Sequence, residues 1–414
     1  MAVRILDKQD LWDLVLGGSA ISTGGGGSGP TREQFDAFVD PILARGVQPT
    51  LLDPSELADD ATVFMEMGAG GGVRRADRER YLAFPGGGIR RADFDQTEWI
   101  RDRLQEYDNL YPLGDWAEPP DETWHEQVTQ RMIELVGAEP DARLVFEIGP
   151  NNFRSILTGA LSGLPTLDAD TAGHRAVPEV SMCSFNIHGV PAQPVLFASA
   201  WGDLMVLERV ISWQRMEDIG RHLAIVSGGG ARGIMAFDGA TARDKTFNGS
   251  LTKALELGRA IRAARERGDD VPQAIADATD GHVLFRGTVL ARLNEEHTAF
   301  IWGVERIKGT GEWAGQTFKV WYKNENHMSW IGDRPYVMSP DIVTVIDPET
   351  GYGLSNFDVP AWEYGREVAV VGVPCHPLWR SERGLRIFHP ARWGFACDYT
   401  PIEEAVAAMR GAGA

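Results

Sequence analysis

The sequence predicts an α/β and α+β protein: an N-terminal α/β domain with a parallel or mixed sheet, then a C-terminal domain containing a β-rich module. Three observations predict it. "ARLVFEIG", "NNFRSILTGALSG" and "LPTL" read strand, helix, strand, the order of a βαβ unit. From about His282 to Asp347, "HVLFRGTVLARL", "TAFIWGVERI", "QTFKVWYKNE" and "DIVTVID" alternate apolar and polar residues between glycine-containing turns, as antiparallel strands do. A length of 414 residues exceeds one ordinary core, so two domains are expected, 1–165 and 166–414, with the β-rich module at about 282–347.

Taken in order, the first element is a helix from Asp7 to about Ser22, with Asp7 as N-cap and Leu11, Leu14, Val15 and Ile21 on one side. Four glycines, Gly24 to Gly27, end it. A second helix starts on Thr31, is disturbed by Pro41 and stops at Gly46. "ATVFMEMGAGGG" is a strand opening into a glycine loop, and 72–120 reads as an irregular excursion with one helix near 96–107. "ETWHEQVTQRMIELVG" is an amphipathic helix. "HLAIVSGGGARG" repeats the strand-to-glycine theme, and "TFNGSLTKALELGRAIRAARERG" is a long helix. "EVAVVGVP" adds a strand and "IEEAVAAMRG" a closing helix.

Composition narrows the function. The net charge of −19 and the lack of a basic run disfavour nucleic acid. No apolar run approaches the roughly 20 residues of a membrane span, and the N-terminus lacks a signal-peptide core. Three widely spaced cysteines suit a reducing compartment rather than a disulfide framework. A cytoplasmic protein is expected. "STGGGGSGP" lacks the lysine of a P-loop and follows a helix, so no nucleotide is expected.

The densest chemistry lies in "GLPTLDADTAGHRAVPEVSM". Asp168 and Asp170, two apart, point the same way on a strand, and like charges held close need a cation, from Arg175 or a divalent metal. Glu179 and His188 are further metal-ligand candidates, while an ion-pair network supporting the loop is the alternative. Glu147 ends a strand, where ligands sit in parallel sheets. Cys183 and His188, five apart, allow a thiol–imidazole pair or two packed side chains. Trp379 and Arg380 suit either a clamp on a planar ligand or a packing corner. Asn324 and Glu325 follow a β run and could read a polar heterocycle or form a turn.

In this order, "STGGGGSGP", "FEIGPNN", "GLPTLDADTAGHRAVPEVSM" with "HGVPAQP", "GSLTKALELGRAI", "LFRGTV", "YKNEN" and "VGVPCHPLWR" resemble the S-methyl thiohydantoin desulfurase-like family, from about residue 8 to 402. The resemblance implies the two-domain fold above and chemistry on a small five-membered N-heterocycle. In the named activity, water replaces a methylthio group on the ring's amidine-like carbon, giving a hydantoin and methanethiol. The family-like polar positions are Glu147, Asn152, Asp168, Asp170, Arg175, Glu179, Asn324, Glu325, Trp379 and Arg380. Departures are Thr171 for a glycine, His174 before the arginine, Val177 for an aromatic, Pro150 for a glycine, and an unusual Glu66.

The expectation is a hydrolase of S-methyl thiohydantoins, hydantoins, cyclic imides or lactams. Asp170 or Glu179 would be its general base, and Arg175 with the backbone of Gly25 and Gly26 would steady negative charge. Asp168 would orient the base or hold a metal. Cys183 activated by His188 is the runner-up. The alternative is a non-catalytic ligand-binding or accessory subunit. The cofactor stays open, a divalent metal such as zinc being compatible. Expected partners are the heterocyclic substrate and either a second copy of the chain or a hydantoinase/oxoprolinase-type protein.

Overall fold

A computed structural model describes residues 3–72, 124–199 and 201–412. The helix expected near 96–107 lies outside these. The chain opens with β1 (Val3–Ile5) and α1 (Lys8–Ile21). Asp7 accepts the Asp10 backbone N–H at 2.8 Å and Asp10 accepts that of Asp7, so the predicted cap is a full capping box. A second box, Thr31 with Gln34, starts α2 (Arg32–Leu43), which takes Pro41 into its last turn. Then come β2 (Thr50–Leu52), β3 (Thr62–Gly70), α3 (Trp124–Val136), β4 (Ala142–Val145), α4 (Asn152–Leu161) and β5 (Thr166–Leu167). β4 and β5 lie parallel, Arg143 opposite Thr166, so the predicted βαβ unit is present.

Short β6 (Ala169–Asp170), α5 (Ser184–His188), β7 (Val195–Ala198), β8 (Leu204–Leu207), α6 (Trp213–Val226) and β9 (Gly230–Asp238) continue the chain. The first sheet has the order β1-β2-β5-β4-β3-β9-β7-β8. Its central strands β2, β5, β4 and β3 are parallel, and the others antiparallel to their neighbours. The strands on either side of residue 165 therefore share one sheet, which continues to Asp238.

"HLAIV" corrects the strand expected there. It ends α6, whose N-cap Ser212 accepts the Arg215 N–H and whose Trp213, Met216, Gly220 and Ala224 bury one helical stripe. The strand begins only at Gly230. A five-residue apolar run has no period of its own, and the preceding turns decided it.

After α7 (Gly239–Asp244), β10 (Phe247–Asn248) pairs with β6. The helices α8 (Ser250–Arg267) and α9 (Val271–Ala278) lead into the β-rich module. There β11 (His282–Glu296), β12 (Ile301–Gly309), β13 (Thr317–Lys323), β14 (Glu325–Ile331), β15 (Arg334–Met338), β16 (Ile342–Ile346) and β17 (Glu367–Val373) form an antiparallel sheet. Its order is β15-β14-β13-β12-β11-β17-β16. "EVAVVGV" thus completes the expected module rather than standing apart. Among the described residues no helix is long and apolar enough to cross a membrane.

The two parts meet through α1 against α8, joined by Leu11, Leu14, Leu251, Leu255 and Ile261 in one buried cluster. A Cβ at Gly17 would stand 1.7 Å from the Ala254 carbonyl oxygen, and one at Gly258 1.7 Å from that of Asp13. The helix backbones touch here. Gly258→Ala must push them apart, and we expect a loss of about 1–3 kcal/mol, read as a lower urea midpoint with unchanged slope. An unaltered midpoint would show that this contact is loose.

Candidate active site

At the carboxyl end of β4 the backbone passes Glu147 and turns into α4. Asn152 holds that turn, its Oδ1 accepting the Gly149 N–H at 2.8 Å and its Nδ2 donating to the Glu147 carbonyl at 3.0 Å. The glycine loop after α1 closes on the same turn. Asn151 Nδ2 donates to the carbonyls of Gly26 and Ser28, and a Cβ on Gly149 would lie 3.1 Å from Gly26 Cα. Between them is a cavity of about 290 Å³ whose lining includes Gly26, Glu66, Arg143, Glu147, Asn152 and Arg232.

Glu147 is the chemical centre of this cavity. Its Oε2 accepts the Val177 N–H at 2.8 Å. Burial pushes the carboxyl up to about 7; the Val177 N–H opposes the shift, Asp170's charge adds to it, and Arg221 and Arg175 oppose it. Behind it sits Glu325, buried, its Oε2 without a hydrogen-bond partner. Burial first, and then Glu147's charge, hold Glu325 well above the usual carboxylate range. A Cβ on Gly25 would fall 1.7 Å from Glu325 Oε1, so the glycine admits this carboxyl against the loop backbone. Two like charges in one dry site cannot both ionise cheaply, so Glu325 keeps its proton while Glu147 releases its own at about 7.

Two guanidiniums also line the cavity. Arg143 and Arg232 both bind Glu66 Oε1, Arg232 at 2.8 Å, and Arg232 also contacts His125. Burial and then Arg232's charge push His125 down to about 4, so it stays neutral. Two cations on one carboxylate leave this cluster net positive, in the cavity that Glu147 also lines. Glu66 stood out in the sequence as a departure. Arg143 and Arg232 carried no local signal, because they converge only where β3 lies between β4 and β9.

The acidic stretch expected to form the site lies outside the lining of this cavity. Asp168 and Asp170 point the same way, but toward α8. Asp168 accepts the Thr252 backbone N–H at 2.9 Å and its hydroxyl at 2.5 Å, capping that helix. Asp170, fully buried, accepts from Ala172 N, His174 N and Ser250 Oγ. Arg175 does not neutralise this pair. It donates to the carbonyls of Ala176 and Pro340 and lies 4.8 Å from the Phe388 ring centre. Glu179 is buried against Lys323 and Arg392. None of these lines the Glu147 cavity.

The remaining candidates separate likewise. Cys183 is buried and burial pushes its thiol up to about 12, while His188 ends α5 exposed to solvent. The two thus lie in different surroundings, and burial disfavours the thiolate at Cys183. Cys183→Ser is expected to leave turnover within about twofold; a loss above tenfold would restore the thiol. Trp379 is wholly buried, donating to the Ala172 carbonyl at 2.8 Å, and Arg380 pairs with Asp341 and Glu403: a packing corner, not a clamp. Asn324, at φ 58°, accepts the Ile301 N–H and donates to the Gly70 carbonyl, so it serves a turn. Gly26, Glu147 and Asn152 line the cavity, with Gly25 and Glu325 directly behind. Among the described residues no group of three or more His, Cys, Asp or Glu side chains is arranged to hold a metal.

Family models match most of the chain: the S-Me-THD-like N-terminal domain over residues 117–209 and the S-Me-THD-like C-terminal domain over 211–402. The chain belongs to the S-Me-THD-like family. A crystal structure of a protein from Chromobacterium violaceum is similar over 96% of this chain and 100% of that one, at 20% identity with a TM-score of 0.66. At that identity the likeness shows a shared fold. No curated protein matches the sequence. The two S-Me-THD-like models adjoin at residue 210, within the first sheet's span of sequence.

Proposed function

We propose that this S-Me-THD-like protein is a hydrolase of small five-membered N-heterocycles, S-methyl thiohydantoin first among them, with Glu147 as general base. The observation that carries this is a carboxyl at about 7 in a cavity that two guanidiniums also line. A base with that affinity is half deprotonated at neutral pH and still strong enough to take a proton from water. The family description supplies the ring class.

In this reading water attacks the sp² ring carbon bearing the methylthio group while Glu147 takes one of its protons. The ring nitrogen carries the developing negative charge, which the Arg143 and Arg232 wall favours. The C–S bond then breaks. Methanethiolate leaves and takes up the proton held by Glu147, and the remaining C–O–H becomes the hydantoin carbonyl as its proton passes to the ring nitrogen. Water and S-methyl thiohydantoin give hydantoin and methanethiol, with no other reactant. Asn152 keeps the Glu147 turn rigid, and Gly26 leaves room for the ring.

The test is incubation of purified protein with S-methyl thiohydantoins, thiohydantoins, hydantoins, cyclic imides and lactams, following thiol release and product mass. Methanethiol release in step with hydantoin formation is expected. Ring binding with no product across the panel would turn the reading to the accessory-subunit alternative.

A further inference from the structure

A second cavity, of about 670 Å³, lies between the loop at Gly173–His174, the first turns of α8, the end of α9 and the segment Val373–Pro377. It shares no lining residue with the Glu147 cavity. Its volume falls in the range of small-molecule sites, about 300–1,000 Å³. Ile21, Leu257, Ile342 and Val373 give it apolar walls. Lys253, Glu256 and Asp280 give it charge of both signs, and among the described residues none of the three has an ion-pair partner.

The histidines are set up in detail. His174 holds a left-handed backbone, φ 63°, uncommon for a residue with a Cβ. Its Nδ1 donates to Ser250 Oγ at 2.8 Å, and Ser250 donates to buried Asp170 at 2.7 Å. This fixes the neutral tautomer with Nε2 as acceptor, and Lys253 Nζ donates to it at 3.0 Å. The ammonium is thereby positioned without being neutralised. His376 Nδ1 accepts the Leu378 N–H at 3.1 Å, leaving its Nε2–H as a donor. Its ring centre stands 5.8 Å from that of His174.

We infer that this cavity binds a free α-amino acid with an apolar side chain. The carboxylate is held by Lys253 and the Nε2–H of His376, the ammonium by Glu256 and Asp280, and the side chain by the apolar wall. Lys253, Glu256 and Asp280 are exposed at the cavity's edge, and a zwitterion can use partners of both signs there, where a simple anion or a simple cation uses only one. This site does not depend on the chemistry proposed at Glu147.

Isothermal titration of the full chain with L-phenylalanine and L-leucine tests it, against N-acetyl-L-phenylalanine, which lacks the ammonium, and L-phenylalaninamide, which lacks the carboxylate. Saturable binding of the free amino acids is expected, weaker by about tenfold or more for each derivative and in Lys253→Gln. Lys253→Arg, which keeps the charge, should retain affinity. Lys253 is exposed on a helix, so circular dichroism should find both variants folded. No saturable binding of either amino acid, or equal affinity for either derivative or for Lys253→Gln, overturns the assignment.

Discussion

Glu147→Gln is expected to lower kcat for methylthio displacement by about 10²–10⁴-fold while the protein remains folded. The amide keeps the acceptor that the Val177 N–H requires, so the turn into α4 has no cause to move. What disappears is the lone pair that removes water's proton. The sign of the pH dependence follows from the same group. The base works only when deprotonated, so wild-type kcat/KM should rise with pH through about 7 and level off above it. The residual rate of Glu147→Gln should lack that limb. A variant with near-normal turnover, or one whose profile still bends at about 7, would move the base elsewhere. Loss of activity together with the near-ultraviolet circular dichroism signal would assign Glu147 to the scaffold.

Glu179→Ala should be the most destabilising of the single changes considered, by about 3–5 kcal/mol. The variant would leave buried Lys323 without its counter-ion, while Arg392, which is open to solvent, would lose a shared partner. Lys323 is already held below its usual range, burial outweighing the attraction of Glu179. Glu179 itself is held down at about 2 against the opposing effect of burial, chiefly by Lys323 and then Arg392. A depressed carboxyl contributes stability that is fully present above its unfolded value near 4.5 and is lost as pH falls through about 2. The difference amounts to about 3 kcal/mol. Urea titrations of wild type and Glu179→Gln should therefore differ most at neutral pH and converge between 4.5 and 2. A gap that does not change with pH would mean that the charge is not what stabilises this corner.

How much of this was legible beforehand varies by element. Both N-terminal caps were readable because Asp7 with Asp10 and Thr31 with Gln34 are local bonds, made within four residues. The βαβ unit was readable because periodicity and order alone specify it. The run before the glycines at 228–230 was misread because its helix is declared by residues two turns earlier. Residue type and position point to Glu147, Asn152, Gly25, Gly26 and Glu325 around the cavity, whereas Asp170, Arg175 and Glu179, equally prominent in the sequence, lie outside its lining.

The reason is dielectric as much as position. Residue type and spacing show which side chains can ionise, not how dry their surroundings are. Glu147 and Glu179 are the same residue, yet one is held at about 7 and the other at about 2, because burial prevails at the first and two cations overcome burial at the second. By itself the chain determined its two capped N-terminal helices, its parallel unit, its antiparallel module and its family. Only the tertiary structure decided which carboxylate lines a cavity and which arginines share it, since Arg143 and Arg232 meet across β3 from strands almost ninety positions apart. Local interactions specify elements, and desolvation and charge assembled from distant strands specify reactivity.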